Sequence, residues 1–416
     1  MEKNHKEKVL LVIVELKKRK SGWSTSEIRD EMEALVVACG GEVVGDVICP
    51  LATPTARYYI GEGKVKEIAQ ECVLKEADTV IFNHDLKGTQ QRNLEESFKI
   101  KTIDRTQLIL DIFARRATSR EGKMQVELAQ FEYLLPRLVG KGVELSRLGG
   151  GIGTLGPGET KLEIDRRRIS EKITRLRQDL KEVASERALK RKKRQEFGTP
   201  SLSLVGYTNA GKSTLLNTLT QSDQETKDGL FTTLDSLSRQ LVLPNHQKAI
   251  LTDTVGFMHE LPHRLVEAFK ATLEEVTQAD ILVHVLDVSH PQFRNLYEAV
   301  GVVLKELEAQ DKPTIVVLNK IDKLDDRHWV QHLRENFEHA VGVSAKTGEN
   351  VSELLAMISA LLSSRLVEIN IDVPISRMDL VNLAHEEGQV ISVKYYTDTI
   401  NIRATVPVHL AGKFYK

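Results

Sequence analysis

The chain has 416 residues, enough for two or three domains, and its 41% hydrophobic and 28% charged residues are a globular composition. Its 58 basic and 59 acidic residues leave a net charge of −1, which excludes a whole-molecule field that draws the chain to nucleic acid and directs attention to local asymmetry. Three cysteines, Cys39, Cys49 and Cys72, share no metal-ligand spacing, and the apolar run Val9–Val14 is too short for a secretory or membrane-spanning segment; the expectation is a soluble cytoplasmic chain with reduced thiols, whose membrane contact is at most peripheral.

The first 120 residues alternate strand and helix. Val9–Val14 reads as a buried strand. Ser24 and Glu27 form a capping box that opens a helix ending at Gly40-Gly41. Strands follow at Glu42–Ile48, Thr79–Phe82 and Lys101–Ile103, and helices at Lys64–Leu74, Gln90–Phe98 and Thr106–Arg116. This order predicts a small α/β domain on a parallel sheet, over residues 1–120. Gly61 and Gly63 open a helix without a phosphate-loop pattern around them and read as a turn, with an anion at that helix start as the alternative.

Residues 121–198 have a different period. Met124, Leu128, Phe131, Leu135 and Leu138 are spaced as a coiled-coil seam, and so are Ile169, Ile173, Leu176, Leu180 and Val183. Between them, Val139–Thr160 holds eight glycines in 22 residues. Two seams joined by such a loop predict an antiparallel helical hairpin with a glycine-rich tip at 139–160, its first arm disturbed by Pro136. Lys161–Gly198 carries fourteen basic against seven acidic residues, with Arg166-Arg167-Arg168 the densest run near the tip. A solvated flank would account for that charge. A cationic arm displaying a glycine tip also suits folded RNA, with phosphates supplying affinity and Arg147 and backbone the tip contacts.

Residues 199–365 carry the chemistry. Gly206, Tyr207, Thr208, Asn209, Ala210, Gly211, Lys212 and Ser213 match the phosphate-binding loop pattern, with the strand Ser201–Val205 before it and a helix from Thr214 after it. Such a loop cradles a polyphosphate at a helix N-terminus; Lys212 serves its terminal phosphates and Ser213 a Mg²⁺ ion. Phe231, Thr232, Thr233, Leu234 and Asp235 lie in a polar stretch able to bring a threonine hydroxyl to Mg²⁺, and the spacing leaves Thr232 and Thr233 as alternatives. Asp253, Thr254, Val255 and Gly256 follow the strand Lys248–Thr252; Asp253 would reach Mg²⁺ through water, and the Gly256 N–H the γ-phosphate. Asn319, Lys320, Ile321 and Asp322 follow the strand Thr314–Leu318, and the Asp322 carboxylate matches the paired donors of guanine. Ser344, Ala345 and Lys346 would close over the base. Five elements in this order predict a GTP-hydrolysing domain, with Lys212, Gly256 and one of Thr232 and Thr233 as candidate catalytic groups. Phe257 stands where signalling GTPases often place a water-orienting glutamine, which predicts slow hydrolysis without a partner. Residues 366–416 read as strand, helix and hairpin, a small α+β appendage.

The run from Gly150 to Arg167, with Gly206–Thr214, Phe231–Asp235 and Asp253–Phe257, resembles the HflX family of ribosome-associated P-loop GTPases over essentially the whole chain. Leu155 and Lys161 depart from its usual pattern. The resemblance implies that Thr233 is the switch threonine that binds Mg²⁺. It further implies binding of GTP or GDP, association with the large ribosomal subunit near the peptidyl-transferase region, a role in splitting or rescuing stalled ribosomes or in their biogenesis, and in some members a second nucleotide, ATP, at the N-terminal domain. The free chain is expected to be monomeric. Translation elongation and initiation factors are disfavoured because Asp253–Gly256 lacks the proline and following histidine those factors carry, and tRNA-modifying GTPases because the chain ends Gly-Lys-Phe-Tyr-Lys with no reactive cysteine motif. A regulatory switch at an anionic membrane surface, with no RNA ligand, is the alternative from another class.

Overall fold

The structure is a computed structural model and describes residues 6–17, 23–138, 161–196, 198–222, 230–231, 235–258, 270–363 and 366–415. Two compact units divide the chain: the first runs to Val183 and takes in Phe231, and the second begins at Ala184. The architecture is mixed α/β, as the alternation of periods predicts.

In the first unit, β1 (Lys8–Leu16), β2 (Glu42–Leu51), β3 (Thr79–Phe82) and β4 (Lys101–Asp104) form a parallel sheet in the order β2-β1-β3-β4. Val9 to Val14 are all buried, as expected of a strand covered on both faces. The helices are α1 (Thr25–Ala38), α2 (Glu62–Leu74), α3 (Gly88–Phe98), α4 (Arg105–Arg116), α5 (Arg120–Leu138) and α6 (Lys161–Glu196), the last of which continues past Val183 into the second unit. The capping box is formed: the Ser24 N–H donates to the Glu27 carboxylate at 2.6 Å and the Glu27 N–H to the Ser24 hydroxyl at 3.3 Å. Gly61 caps α2 with open space around it.

The seam expected on α5 is corrected by its packing. The buried residues of α5 are Gly122, Gln125, Val126, Leu128, Ala129 and Tyr133, so only Leu128 of the five seam positions is buried. The reason is that α4 is apolar on several sides, burying Leu108, Ile109, Leu110, Ile112 and Phe113, and α5 covers part of it. The coiled-coil face of α5 is therefore secondary. It meets α6 through Arg177, whose guanidinium reaches Glu132 at 2.7 Å, and through Lys172, which lies over the Phe131 ring. On α6 the seam residue Ile173 is buried. The glycine-rich stretch 139–160 lies outside the described residues.

The second unit contains β5 (Ser201–Gly206), β6 (Leu237–Val242), β7 (Lys248–Asp253), β8 (Ile281–Asp287), β9 (Thr314–Asn319) and β10 (Ala340–Gly342), ordered β10-β9-β8-β5-β7-β6. All pair in parallel except β6, which runs antiparallel to β7 at the edge. Its helices are α7 (Lys212–Thr220), α8 (Lys270–Gln278), α9 (Phe293–Glu306), α10 (His328–Arg334) and α11 (Val351–Leu362). From β5 the chain passes to β6 and β7 on one side and then to β8 on the other. The carboxyl end of β5 is thus the point where the strand order reverses, where open α/β sheets bind ligands.

Beyond this sheet, β11 (Leu366–Pro374), β12 (Gln389–Tyr395) and β13 (Thr399–Pro407) form an antiparallel sheet in the order β11-β13-β12. With α12 (Met378–Glu387) and α13 (Val408–Phe414) they bury their own core, including Ile369, Ile400, Ile402, Ala384 and Phe414.

One buried polar group in β8 has a measurable consequence. His284 is 3% exposed and stacks on Tyr297 of α9 with ring centroids 4.9 Å apart. Burial, with a smaller contribution from Lys212, pushes its imidazole down to about 3. The folded state keeps it neutral, whereas the unfolded chain protonates it below about 6.5. Its contribution to stability is complete above that value and is lost as the pH falls. Between pH 7 and pH 5 the unfolding free energy should drop by about 2 kcal/mol on this account. Urea titrations at the two pH values check this, and His284→Phe, which preserves the stack, should remove that part of the difference.

Candidate functional site

The phosphate loop leaves β5 at Gly206 and enters α7 at Lys212. Gly211 has φ +96°, and a Cβ there would stand 2.3 Å from the Asn319 amide nitrogen, so only glycine fits. That amide explains the crowding. Asn319 Nδ2 donates to the Ala210 carbonyl at 2.8 Å, and its Oδ1 accepts from the Ala345 N–H at 3.0 Å. The Thr218 hydroxyl of α7 donates to the Ala345 carbonyl at 2.6 Å. One asparagine side chain therefore ties the phosphate loop to the segment 344–346, and α7 holds that segment from the other side.

Lys320 and Asp322 complete this half of the site. The Lys320 ammonium donates to the Asn209 carbonyl at 2.7 Å and pairs with Asp287 at 2.6 Å. The fully buried Ser344 donates its hydroxyl to Asp322 Oδ1 at 2.7 Å, which orients a carboxylate that is itself only half-buried. Ile321 is buried in the core and Lys346 is exposed. The Asp322 carboxylate is thus aimed by a neighbour and retains acceptor capacity for paired N–H donors, as guanine presents.

The other half of the site handles phosphate. Lys212 is 6% exposed, and its ammonium donates to the carbonyls of Gly206 at 3.1 Å and Tyr207 at 2.9 Å. Burial pushes its pKa down to about 8, opposed by the Asp253 carboxylate and assisted by Lys320. Two phosphate groups at that ammonium would supply the countercharge that burial denies it. The Ser213 hydroxyl donates to Asp253 Oδ2 at 2.6 Å. Two oxygen groups converging beside the start of α7 are the hard donors that Mg²⁺ takes, one directly and one through water, so these residues fit that ion. Thr254 is buried and donates to the Leu204 carbonyl at 2.6 Å, a structural bond. Val255 is buried, and Thr214 occupies the first turn of α7.

Phe257 is 1% exposed, with its ring in the core and its backbone paired to the phosphate loop. Its N–H donates to the Gly206 carbonyl at 3.1 Å, and its carbonyl accepts from the Thr208 N–H at 2.8 Å. Phe231 belongs to the first unit. It is 2% exposed, has φ +54°, and packs edge-on to Phe113 of α4 with centroids 4.6 Å apart. Thr232, Thr233 and Leu234 lie outside the described residues, and Asp235 stands two residues before β6. The sequence motifs do not include Asp287, the partner of Lys320. It ends the apolar run of β8 in register with Asn319 of β9, and a carboxylate closing a buried strand beside another strand-end motif was the available signal.

A doubly wound sheet with a phosphate loop at its switch point, a lysine over that loop, a serine–aspartate oxygen pair beside it and an oriented aspartate across it defines a P-loop GTPase domain. Its sequence neighbours extend this beyond the domain. Residues 26–114 and 116–194 match the family models described as GTP-binding GTPase N-terminal and GTP-binding GTPase Middle Region, residues 201–320 the 50S ribosome-binding GTPase model, and residues 330–406 the HflX C-terminal domain. The GTPase HflX of Caldanaerobacter subterraneus subsp. tengcongensis is 44% identical over 401 residues, 96% of this chain and 91% of that protein. The GTPase HflX of Escherichia coli is 43% identical, covering 83% of this chain and 81% of its own. Among solved structures, a GTP-binding protein from the hyperthermophilic archaeon Sulfolobus solfataricus in complex with GDP aligns with TM-score 0.44 and 25% identity, over 86% of this chain and 99% of that one. The chain belongs to the HflX family of GTPases. It binds guanine nucleotide and hydrolyses GTP.

Proposed function

We propose that this GTPase binds the large ribosomal subunit, that hydrolysis is stimulated there, and that the cycle serves splitting or rescue of stalled ribosomes or their biogenesis. Ser213 and Thr233 would hold Mg²⁺ with the nucleotide. The observation that carries this reading is the match of residues 201–320 to a 50S ribosome-binding GTPase model. It is supported by α6, on which Arg166, Arg167 and Arg168 are all exposed beside the glycine-rich stretch. Phosphates of ribosomal RNA near the peptidyl-transferase region would be their counterparts. The buried ring of Phe257 supplies no hydrogen bond to water, and the subunit would speed a step that this side chain does not assist. The free protein would be monomeric and cytosolic.

Co-sedimentation with purified large subunits tests the binding, and a steady-state GTPase assay with and without them tests the stimulation. Binding that weakens steeply with salt and a rise in hydrolysis of at least about tenfold are expected. Substituting glutamate at Arg166, Arg167 and Arg168 together should lower subunit binding and flatten its salt dependence by up to about three counterions. GDP affinity should stay within twofold of the parent. Equal hydrolysis with and without subunits, or normal pelleting of the charge-reversed chain at every salt concentration, would remove the proposal. Pelleting with anionic liposomes in place of subunits would favour the membrane alternative.

A further inference from the structure

The Thr208 hydroxyl is not accounted for by the fold. Thr208 is 7% exposed, and its Oγ1 has no hydrogen-bond partner among the described residues. An unpaired buried hydroxyl is unfavourable, and a ligand-bound state of the protein can supply its partner. Its surroundings name that state. A Cβ built on Gly256 would stand 2.7 Å from Thr208 Cγ2, 2.8 Å from Thr208 Cα and 3.1 Å from Lys212 Nζ. Thr208, Gly256 and Lys212 therefore crowd one point. In P-loop GTPases the lysine and the strand-end glycine of this kind both attend the terminal phosphate. The residue is also held in place: its backbone N–H is bound by the Phe257 carbonyl at 2.8 Å, and its methyl group stands beside Gly256.

We propose that the Thr208 hydroxyl is a catalytic residue of GTP hydrolysis, holding the attacking water beside the terminal phosphate where the Phe257 side chain offers nothing polar. The hydroxyl donates to an oxygen of the γ-phosphate and accepts an O–H of the water. The water oxygen forms the new bond to γ-phosphorus, and the bond from γ-phosphorus to the β–γ bridging oxygen breaks with its electron pair remaining on GDP. The water proton ends on the released phosphate. Thr208 is unchanged at the end of the step. A threonine hydroxyl is too weak a base to remove the proton, so its whole contribution is orientation, and it belongs in the rate and not in the ground-state affinity.

The proposal rests on the GTPase assignment, and the parent rate is its internal control. Thr208→Val keeps the side-chain shape and deletes only the hydroxyl; Thr208→Ser keeps the hydroxyl. In single-turnover assays on the full chain, Thr208→Val should hydrolyse GTP about a hundredfold more slowly than the parent, the lower end of the range found for loss of one preorganised hydrogen bond. GDP affinity, read with a fluorescent nucleotide, should remain within about threefold. Thr208→Ser should hydrolyse within about threefold of the parent. Hydrolysis by Thr208→Val at the parent rate overturns the proposal. So does a loss of GDP affinity equal to its loss of rate, because the hydroxyl would then act on binding or structure alone. If the valine variant does not fold to a GDP-binding form, Thr208→Ser against Thr208→Ala decides. Equal rates in that pair also overturn the assignment.

Discussion

Asp322→Asn should weaken GTP and GDP binding by about a hundredfold or more and raise affinity for xanthine nucleotides. The Asp322 carboxylate is positioned by the Ser344 hydroxyl at 2.7 Å, in a segment whose next residue is fixed by Asn319 and Thr218. Guanine would present two N–H donors to that carboxylate. A hydrogen bond to a charged group contributes about 1.5–3 kcal/mol, and each 1.4 kcal/mol is tenfold in affinity. The asparagine amide keeps the shape and offers one acceptor oxygen and one donor nitrogen. One guanine N–H then faces another donor, a repulsion in addition to a lost bond. Xanthine carries a carbonyl where guanine carries the exocyclic amine, so the same amide nitrogen gains an acceptor there. Competition of GDP and xanthosine diphosphate against a fluorescent guanine nucleotide measures both changes. Unaltered GDP affinity in the variant would place the base elsewhere than against Asp322.

What the sequence disclosed depended on whether the determining interaction was local. The phosphate loop at 206–213 is a continuous stretch whose glycines, lysine and serine each answer a local demand, and its strand and helix flanks are written in periods of two and 3.6. The buried run Val9–Val14 and the capping box at Ser24 and Glu27 are local in the same sense. The edge strand β6 lacks the signal. Of Leu237–Val242 only Leu241 is buried, since an edge strand with a solvated face has little apolar pattern to display. The buried face of α5 departs from its heptad spacing for a different reason. Its heptad spacing is genuine, but Gln125, Ala129 and Tyr133 belong to a second stripe whose burial is decided by α4, and a polar glutamine with a small alanine does not advertise a core. Asn319 shows the same limit within the site. Its place in a nucleotide motif is legible, whereas its bridge between Ala210 and Ala345 joins segments more than a hundred residues apart in one case. The inward turn of Phe231 onto Phe113 likewise depends on a helix far away in the sequence.

Asp104→Ala should destabilise the first unit by about 3–5 kcal/mol, the range for leaving one partner of a buried ion pair uncompensated. Asp104 caps α4 and is fully buried, and four donors converge on its carboxylate: the N–H groups of Leu86 at 3.0 Å and Gln107 at 2.9 Å, the Tyr133 hydroxyl at 2.9 Å and the Arg137 guanidinium at 2.8 Å. Burial pushes the carboxyl pKa up, and the Gln107 and Leu86 N–H groups and Arg137 oppose it. Arg137 also donates to the carbonyls of Leu86 at 2.8 Å and Tyr133 at 2.9 Å and lies over the Tyr133 ring. These contacts tie the last turn of α5 to the end of β4 and to the loop between β3 and α3. That turn contains Pro136, which cannot donate a ladder hydrogen bond, so side-chain anchoring has more to do there than in an unbroken helix. Tyr133→Phe removes one bond of the four and should cost about 1 kcal/mol. The double variant Asp104→Ala, Arg137→Ala should be less damaged than the sum of its single variants, because removing the arginine also removes the unpaired buried charge. Denaturant unfolding of the four proteins gives that coupling energy directly. Hydrogen exchange should report faster opening of residues 130–138 in Asp104→Ala, with GDP affinity unchanged, since every group in the network lies in the first unit and the phosphate loop in the second. Should Asp104→Ala unfold at the same denaturant concentration as the parent, the carboxylate would be a bystander and the apolar stripe of α5 its sole anchor.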